Sequence, residues 1–188
     1  MNMPWYKNVK LNDPIDQGHL IPDFPVVTWQ ELSEVDIPDE PKKLLSKIDG
    51  SFVDVVVMTQ TCDLANNNVK LLILCPYYTC EEIKKSWFEK RKKEGKPTKD
   101  KDLKQFLKQI KNGQVLNYCL LNSCNISKQS FGLRIVDFHE IFSLPLKFCN
   151  SWLKKNRVNR VALLPPYREH LSQAFAKYFM RIGLPEDI

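Results

Sequence analysis

The sequence predicts an α+β fold: a small, curled β-sheet or barrel, interrupted by an inserted helical hairpin and closed by a C-terminal helix. Three observations lead there. Phe52 to Thr59 and Val69 to Cys75 are near-continuous apolar runs of strand length, a pattern that implies burial on both faces. Residues 81–112 then change to Lys-rich sequence with apolar residues at helical spacing. Near the end, Leu171, Ala174, Phe175, Tyr178 and Ile182 recur at three- and four-residue steps, the stripe of an amphipathic helix.

In chain order, the first fifty residues carry Pro4, Pro14, Pro22, Pro25, Pro38 and Pro41, which argue against long helices and central strands there. Short pieces remain: Gly18 to Ile21, a strand at Val26 to Trp29, and a helix from Pro41 to Ile48. Asp49-Gly50 reads as a turn that launches the β-branched strand Phe52 to Thr59, and Asn66-Asn67-Asn68 as a polar turn before the second strand, which Pro76 should end. In the hairpin, Ile83, Trp87 and Phe88 mark a first helix and Gly95-Lys96-Pro97 its interruption. Thr98 is placed to cap a second helix bearing Leu103, Phe106, Leu107 and Ile110. Strands are expected at Val115 to Leu121, Phe131 to Asp137 and Val158 to Leu164, with a helix or coil running to Trp152 between the last two. Pro165-Pro166 opens the final helix, and Gly183 and Pro185 stop it.

The 188 residues suit a single domain, with 81–112 as an insertion within it. At 43% apolar and 27% charged, the chain lies outside the disordered class. No apolar run approaches the roughly 20 residues of a membrane span. Met1 to Lys10 lacks the apolar core of a secretion signal, so the expectation is a cytoplasmic protein without membrane contact. In that setting the six cysteines, mostly inside apolar runs, read as reduced buried thiols. Residues 81–112 hold eleven Lys and one Arg against six acidic residues, which accounts for the whole formal net charge of +6. The basic character belongs to the insertion.

Thr59, Gln60, Thr61, Cys62 and Asp63 follow directly on a buried strand, a rigid support for a binding loop. Asp63 is suited to accept a proton or bind a cation, and Thr61 to hydrogen-bond a phosphate. The plainer alternative is a turn in which Thr and Asp bond local amides. Cys62, Cys75 and Cys80 raise zinc, but without a Cys-x-x-Cys pair or a nearby His the expectation is no metal site. His139 beside Glu140 could form an acid–base pair, although lone histidines such as His19, His139 and His170 are more often packed or surface residues. Arg168 at the start of the last helix suits phosphate, yet Glu169 and Arg181 fit ordinary helix electrostatics equally well. In the hairpin, Lys90, Arg91 and Lys92 beside Trp87 offer charge and stacking for nucleic acid, or an amphipathic surface for a protein partner; a solvated helical face is the commoner outcome.

The order of these cues resembles MazF/PemK-like proteins, which are built on an SH3-like barrel. Gln17-Gly18-His19 resembles their opening Gly-Asp turn, Val55-Val56-Val57-Met58-Thr59 their valine strand, and Leu74-Cys75-Pro76-Tyr77-Tyr78-Thr79 their strand leading into Pro and a hydroxyl residue. Val136-Asp137-Phe138 and the closing helix follow in the same order. In family members that cleave single-stranded RNA, an Arg ahead of the valine strand and a later hydroxyl serve catalysis. Here Phe52, Val53 and Asp54 occupy the Arg position without a base, while Thr79 retains the hydroxyl. The resemblance therefore implies a non-catalytic or catalytically altered binding protein, a regulatory component of a bacterial toxin–antitoxin or phage-defence (CRISPR-linked) system. Its partner would be a protein: an antitoxin, a sigma-factor-like protein or another defence component. RNA and a second copy of the chain are further partners. The alternative is a sequence-specific, metal-independent endoribonuclease toxin using Thr79, Asp63 and Arg168. Neither reading calls for a cofactor. A metal-dependent enzyme centred on Cys62 and Asp63 is a distant third class.

Overall fold

A computed structural model describes residues 3–30, 40–126 and 129–180. The fold is α+β. Among the described residues, ten strands and six α-helices follow in the order β1 (Tyr6–Val9), β2 (His19–Trp29), α1 (Pro41–Leu44), β3 (Ile48–Val57), α2 (Thr61–Ala65), β4 (Leu71–Thr79), α3 (Cys80–Lys93), α4 (Asp100–Lys111), β5 (Tyr118–Leu121), β6 (Cys124–Ile126), β7 (Gln129–Phe131), β8 (Arg134–Asp137), β9 (Phe142–Pro145), α5 (Leu146–Asn156), β10 (Arg160–Leu163) and α6 (Tyr167–Phe179). Every strand pairing among the described residues is antiparallel.

The main sheet runs β1-β10-β2-β3-β4-β8-β5, with β9 also on β4 and β6-β7 forming a separate hairpin. Its outer strands β1 and β5 do not pair with each other, so the expected closed barrel is instead an open sheet. The apolar β3 still does what its composition demands. Val55 and Val57 face one way, into a core with Ile21, Phe24, Leu72, Leu74 and helix α5 through Cys149 and Leu153. Val56 and Met58 face the other, into a core with Leu20, Cys75, Tyr77, Val136, Phe138 and Leu171 of α6. The two-residue period of a strand sorts alternate residues onto opposite faces, and both faces are covered. A third cluster, Ile83, Ile110 and Ile135, seats the α3–α4 hairpin on the sheet.

The prolines behave differently from expectation. β2 is one eleven-residue strand through Pro22 and Pro25, with an irregularity between Ile21 and Phe24 and Asp23 at φ 47°. Among the described residues β10 pairs with β2 at His19 and Leu20, short of both prolines, so from there one edge of β2 needs no donor, the setting in which a strand tolerates proline. Likewise Pro76 does not end β4, which continues to Thr79. On the side opposite β3, β4 pairs with β9 through Leu71 to Leu74 and with β8 from Tyr77 to Thr79. Pro76 sits at this change of partner, where its missing N–H is not needed.

Several expected boundaries also move. Asp49-Gly50 lies inside β3 and is no turn. Pro41–Leu44 is a single α-turn followed by a 3-10 turn at Leu45–Lys47. The expected strand Phe131 to Asp137 is broken into β7 and β8. Ser143-Leu144-Pro145 belongs to strand β9. The second hairpin helix takes its N-cap from Lys99, without a side-chain cap from Thr98. The expected stop at Gly183 and Pro185, with Ile182 and Arg181, lies outside the described residues.

Among the described residues all six cysteines are free; Cys75, Cys124 and Cys149 are buried and Cys62 is exposed. Burial pushes the Cys75, Cys119 and Cys149 thiols up to about 12, so they pack as small apolar groups. No helix among the described residues is long and apolar enough to cross a membrane.

Candidate functional site

The α3–α4 hairpin and the β5–β8 end of the sheet enclose a cleft of about 300 Å3. From α3 come Ser86, Trp87, Lys90 and Arg91; one helical turn separates Trp87 from Lys90 and Arg91, so the three share a face. From α4 comes Phe106, whose ring stacks on Trp87 at 6.0 Å. From the sheet come Asn117, Tyr118 and His139. β5 and β8 pair Tyr118 with Asp137. Just past the strand ends the Asn117 carbonyl accepts the Phe138 N–H at 2.8 Å. That turn brings His139 Nδ1 to 3.1 Å from Asn117 Nδ2.

Asp137 stands behind His139. It is buried, its Oδ1 accepts the His139 backbone N–H at 2.9 Å, and the same oxygen lies 3.2 Å from His139 Nδ1. Burial raises the Asp137 carboxyl, with the His139 contacts opposing. The His139–Glu140 pair, the less favoured reading of the sequence, gives way to other partners: Glu140 Oε2 accepts the Tyr78 hydroxyl at 2.8 Å, and His139 stands at Asp137. The His139 ring meets Tyr118 and Tyr178 edge-on, at 6.3 Å and 5.7 Å. Ser86 lines the same cleft, and the Tyr118 hydroxyl bonds Asp137.

Arg91 is partly committed to the scaffold. Its Nε donates to the Pro97 carbonyl at 2.8 Å, its Nη2 lies 3.4 Å from Asp102 on α4, and its guanidinium sits 4.8 Å over the Trp87 ring. It ties the two helices together and holds the indole in place. Lys90 forms no ion pair among the described residues. Lys92 does not belong to this cleft; it lines a separate depression with Phe88, Glu89, Lys96 and Thr98.

The residues expected after β3 are mostly structural. Thr59 is buried, and its Oγ1 accepts the Ile73 N–H at 2.7 Å, tying the end of β3 to β4. Gln60 is the N-cap residue of α2 and receives the Cys62 thiol at 3.5 Å. Asp63 lies in the first turn of that five-residue helix, where the dipole favours a carboxylate. Thr61 Oγ1 is buried without a partner among the described residues.

Thr79 ends β4 and caps α3 in a complete capping box: its Oγ1 accepts the Glu82 N–H at 3.1 Å and donates to Glu82 Oε2 at 2.7 Å. Thr59 is bonded to Ile73, six residues before Thr79, and six extended residues span about 20 Å. Asp63 therefore stands toward the opposite end of β4 from Thr79. Arg168 pairs with Glu169 Oε1 through Nη2 at 2.7 Å and Nε at 3.1 Å, and its stem packs over Gly18. These three residues do not assemble into one site.

A cation does stand near Thr79, one that local sequence could not reveal. Arg134 is its cross-strand partner on β8. The carboxylates of Asp54 and Glu82 lie in its electrostatic neighbourhood, and Asp23 adds to the field at Asp54. Burial raises the Asp54 carboxyl, whereas the bonds from Thr79 hold Glu82 low. One guanidinium facing two carboxylates is a net negative surround.

Among the described residues, no group of three His, Cys, Asp or Glu side chains is placed to hold a metal ion. Comparison with protein-family models, curated proteins and solved structures returned no match.

Proposed function

We propose that this chain is a non-catalytic binding protein, a divergent MazF/PemK-like regulatory component of a bacterial toxin–antitoxin or phage-defence system, with an open sheet in place of a closed barrel. Its recognition surface is the cleft between hairpin and sheet, where it engages a protein partner. One observation carries the reading: Trp87, Phe106 and Tyr118 meet around one cavity, an aromatic floor whose rim holds Lys90, Arg91 and Glu94. Such a cleft suits an apolar or aromatic anchor with polar flanks of both charges. The kinship rests on the order of the sequence cues. Its support in the fold is that Gly18 N–H bonds the Val57 carbonyl at 2.9 Å, so the opening turn and the valine strand are neighbours.

Capture by the purified protein, quantified by mass spectrometry, checks the reading. Trp87→Ala should reduce recovery of a specific partner by on the order of tenfold or more, the loss typical of a central aromatic anchor. Equal recovery by wild type and variant counts against the cleft.

The endoribonuclease alternative draws on the pairing of Arg134 with Thr79. Against it stand the two carboxylates coupled to that Arg and the commitment of the Thr79 hydroxyl to its helix cap. Incubation with single-stranded RNA decides between them. The binding reading requires no cleavage; cleavage lost in both Thr79→Ala and Arg134→Ala establishes the nuclease.

A further inference from the structure

The loop after β1 and helix α5 bound a second cavity, of about 410 Å3, lined by Asn12, Asp13, Asn150, Lys154 and Arg160 among others. Arg160 is its unusual member. It lies on β10 opposite Val9 and is only 3% exposed. Its Nη2 donates to the Asp13 carbonyl, and its Nε is buried with no partner among the described residues. Among the described residues no carboxylate forms an ion pair with it. A guanidinium has five N–H donors and stays charged, and burying it without a counter-charge is costly. Asp13 acts on Arg160 through its field and without a direct ion pair; its Oδ2 accepts the Lys10 N–H at 3.1 Å. Lys154, on the exposed side of α5, adds a second cation that also forms no ion pair among the described residues.

We propose that this cavity binds a phosphate-type oxyanion, held by the Arg160 guanidinium and the Lys154 ammonium, with the Asn12 and Asn150 amides as further donors. The planar fork of an arginine matches two oxygens of such an anion, and the anion supplies the direct ion pair that the buried side chain lacks among the described residues. The inference is independent of the hairpin cleft and of any reading of function.

The test is titration of the full chain with inorganic phosphate against sodium chloride at matched ionic strength, followed by calorimetry and melting temperature. Saturable binding and stabilisation by phosphate alone are expected. Lys154→Ala, at an exposed position, should weaken the affinity on the order of tenfold. Asp13→Asn should strengthen it, because a repelling charge is removed while the acceptor for Lys10 remains. Arg160→Gln should abolish it, and the two milder variants decide the matter if Arg160→Gln does not fold. A parallel titration with a sugar phosphate identifies the source: tighter binding than inorganic phosphate indicates a phosphorylated small molecule, weaker binding the free ion. A response no greater than that to chloride, or one left unchanged by Lys154→Ala and Asp13→Asn, overturns the proposal.

Discussion

Gly18 shows how much one residue can decide. Its φ of 76° lies in the left-handed region, and a Cβ there would stand 3.0 Å from Arg168 Cγ and 3.3 Å from Leu163 Cβ. Gly18→Ala should therefore cost about 1–2 kcal/mol, readable as a shift of the urea midpoint without a change in slope. Its neighbour His19 is buried, and its Nδ1 accepts the Asp16 N–H at 3.3 Å, a bond that requires an unprotonated nitrogen. Burial, reinforced by Arg160, lowers its pKa to about 4, below the ordinary 6.5. The unfolded chain thus takes up the proton first. The stability this group contributes is intact above about pH 6.5 and is lost as the pH falls through that value toward about 4. Between about pH 7 and pH 5 the loss should be about 2 kcal/mol, and His19→Asn should flatten that part of the pH–stability curve.

Among the elements, α3 depends on its start. Thr79 and Glu82 exchange hydrogen bonds across the first turn, while Glu81 and Glu82 complement the dipole there and Lys90 to Lys93 complement it at the other end. Thr79→Ala should destabilise the protein by about 1 kcal/mol in denaturant titration, with Thr79→Ser recovering most of the loss. Which elements were legible follows from where their information lies. The β-branched run of β3 and the stripe of α6 are local patterns, and both are found where expected. The prolines of β2 and β4 misled, because the cost of a missing N–H depends on whether a neighbouring strand needs it, and that neighbour is remote in sequence. The cleft divides in the same way. Trp87, Lys90 and Arg91 stand out by helical spacing, whereas Asn117, Tyr118 and His139 join them only through the β5–β8 pairing and the turn beyond it. Arg134 likewise reaches Thr79 only through the ladder.

For the whole molecule, stability rests on two cores back to back across one sheet. Phe138 is fully buried beneath α6, its ring edge-on to Phe175 at 5.4 Å. Phe138→Ala should cost about 3–5 kcal/mol and lower the melting temperature by on the order of 10 °C, measured by calorimetry. Because alternate residues of β3 serve opposite cores, no single-residue slip of that strand is tolerated: it would exchange Val55 and Val57 for Val56 and Met58 on both faces at once.

β4 takes one neighbour from residues already made and the other two from β8 and β9, more than fifty residues further along the chain. A ribosome that has just delivered Thr79 has therefore released a strand with one edge bare and its apolar flanks uncovered. Vectorial synthesis cannot complete this sheet piecemeal. The nascent chain must carry that exposed edge until Pro145 has left the exit tunnel, and it is in this interval that the protein most needs a chaperone.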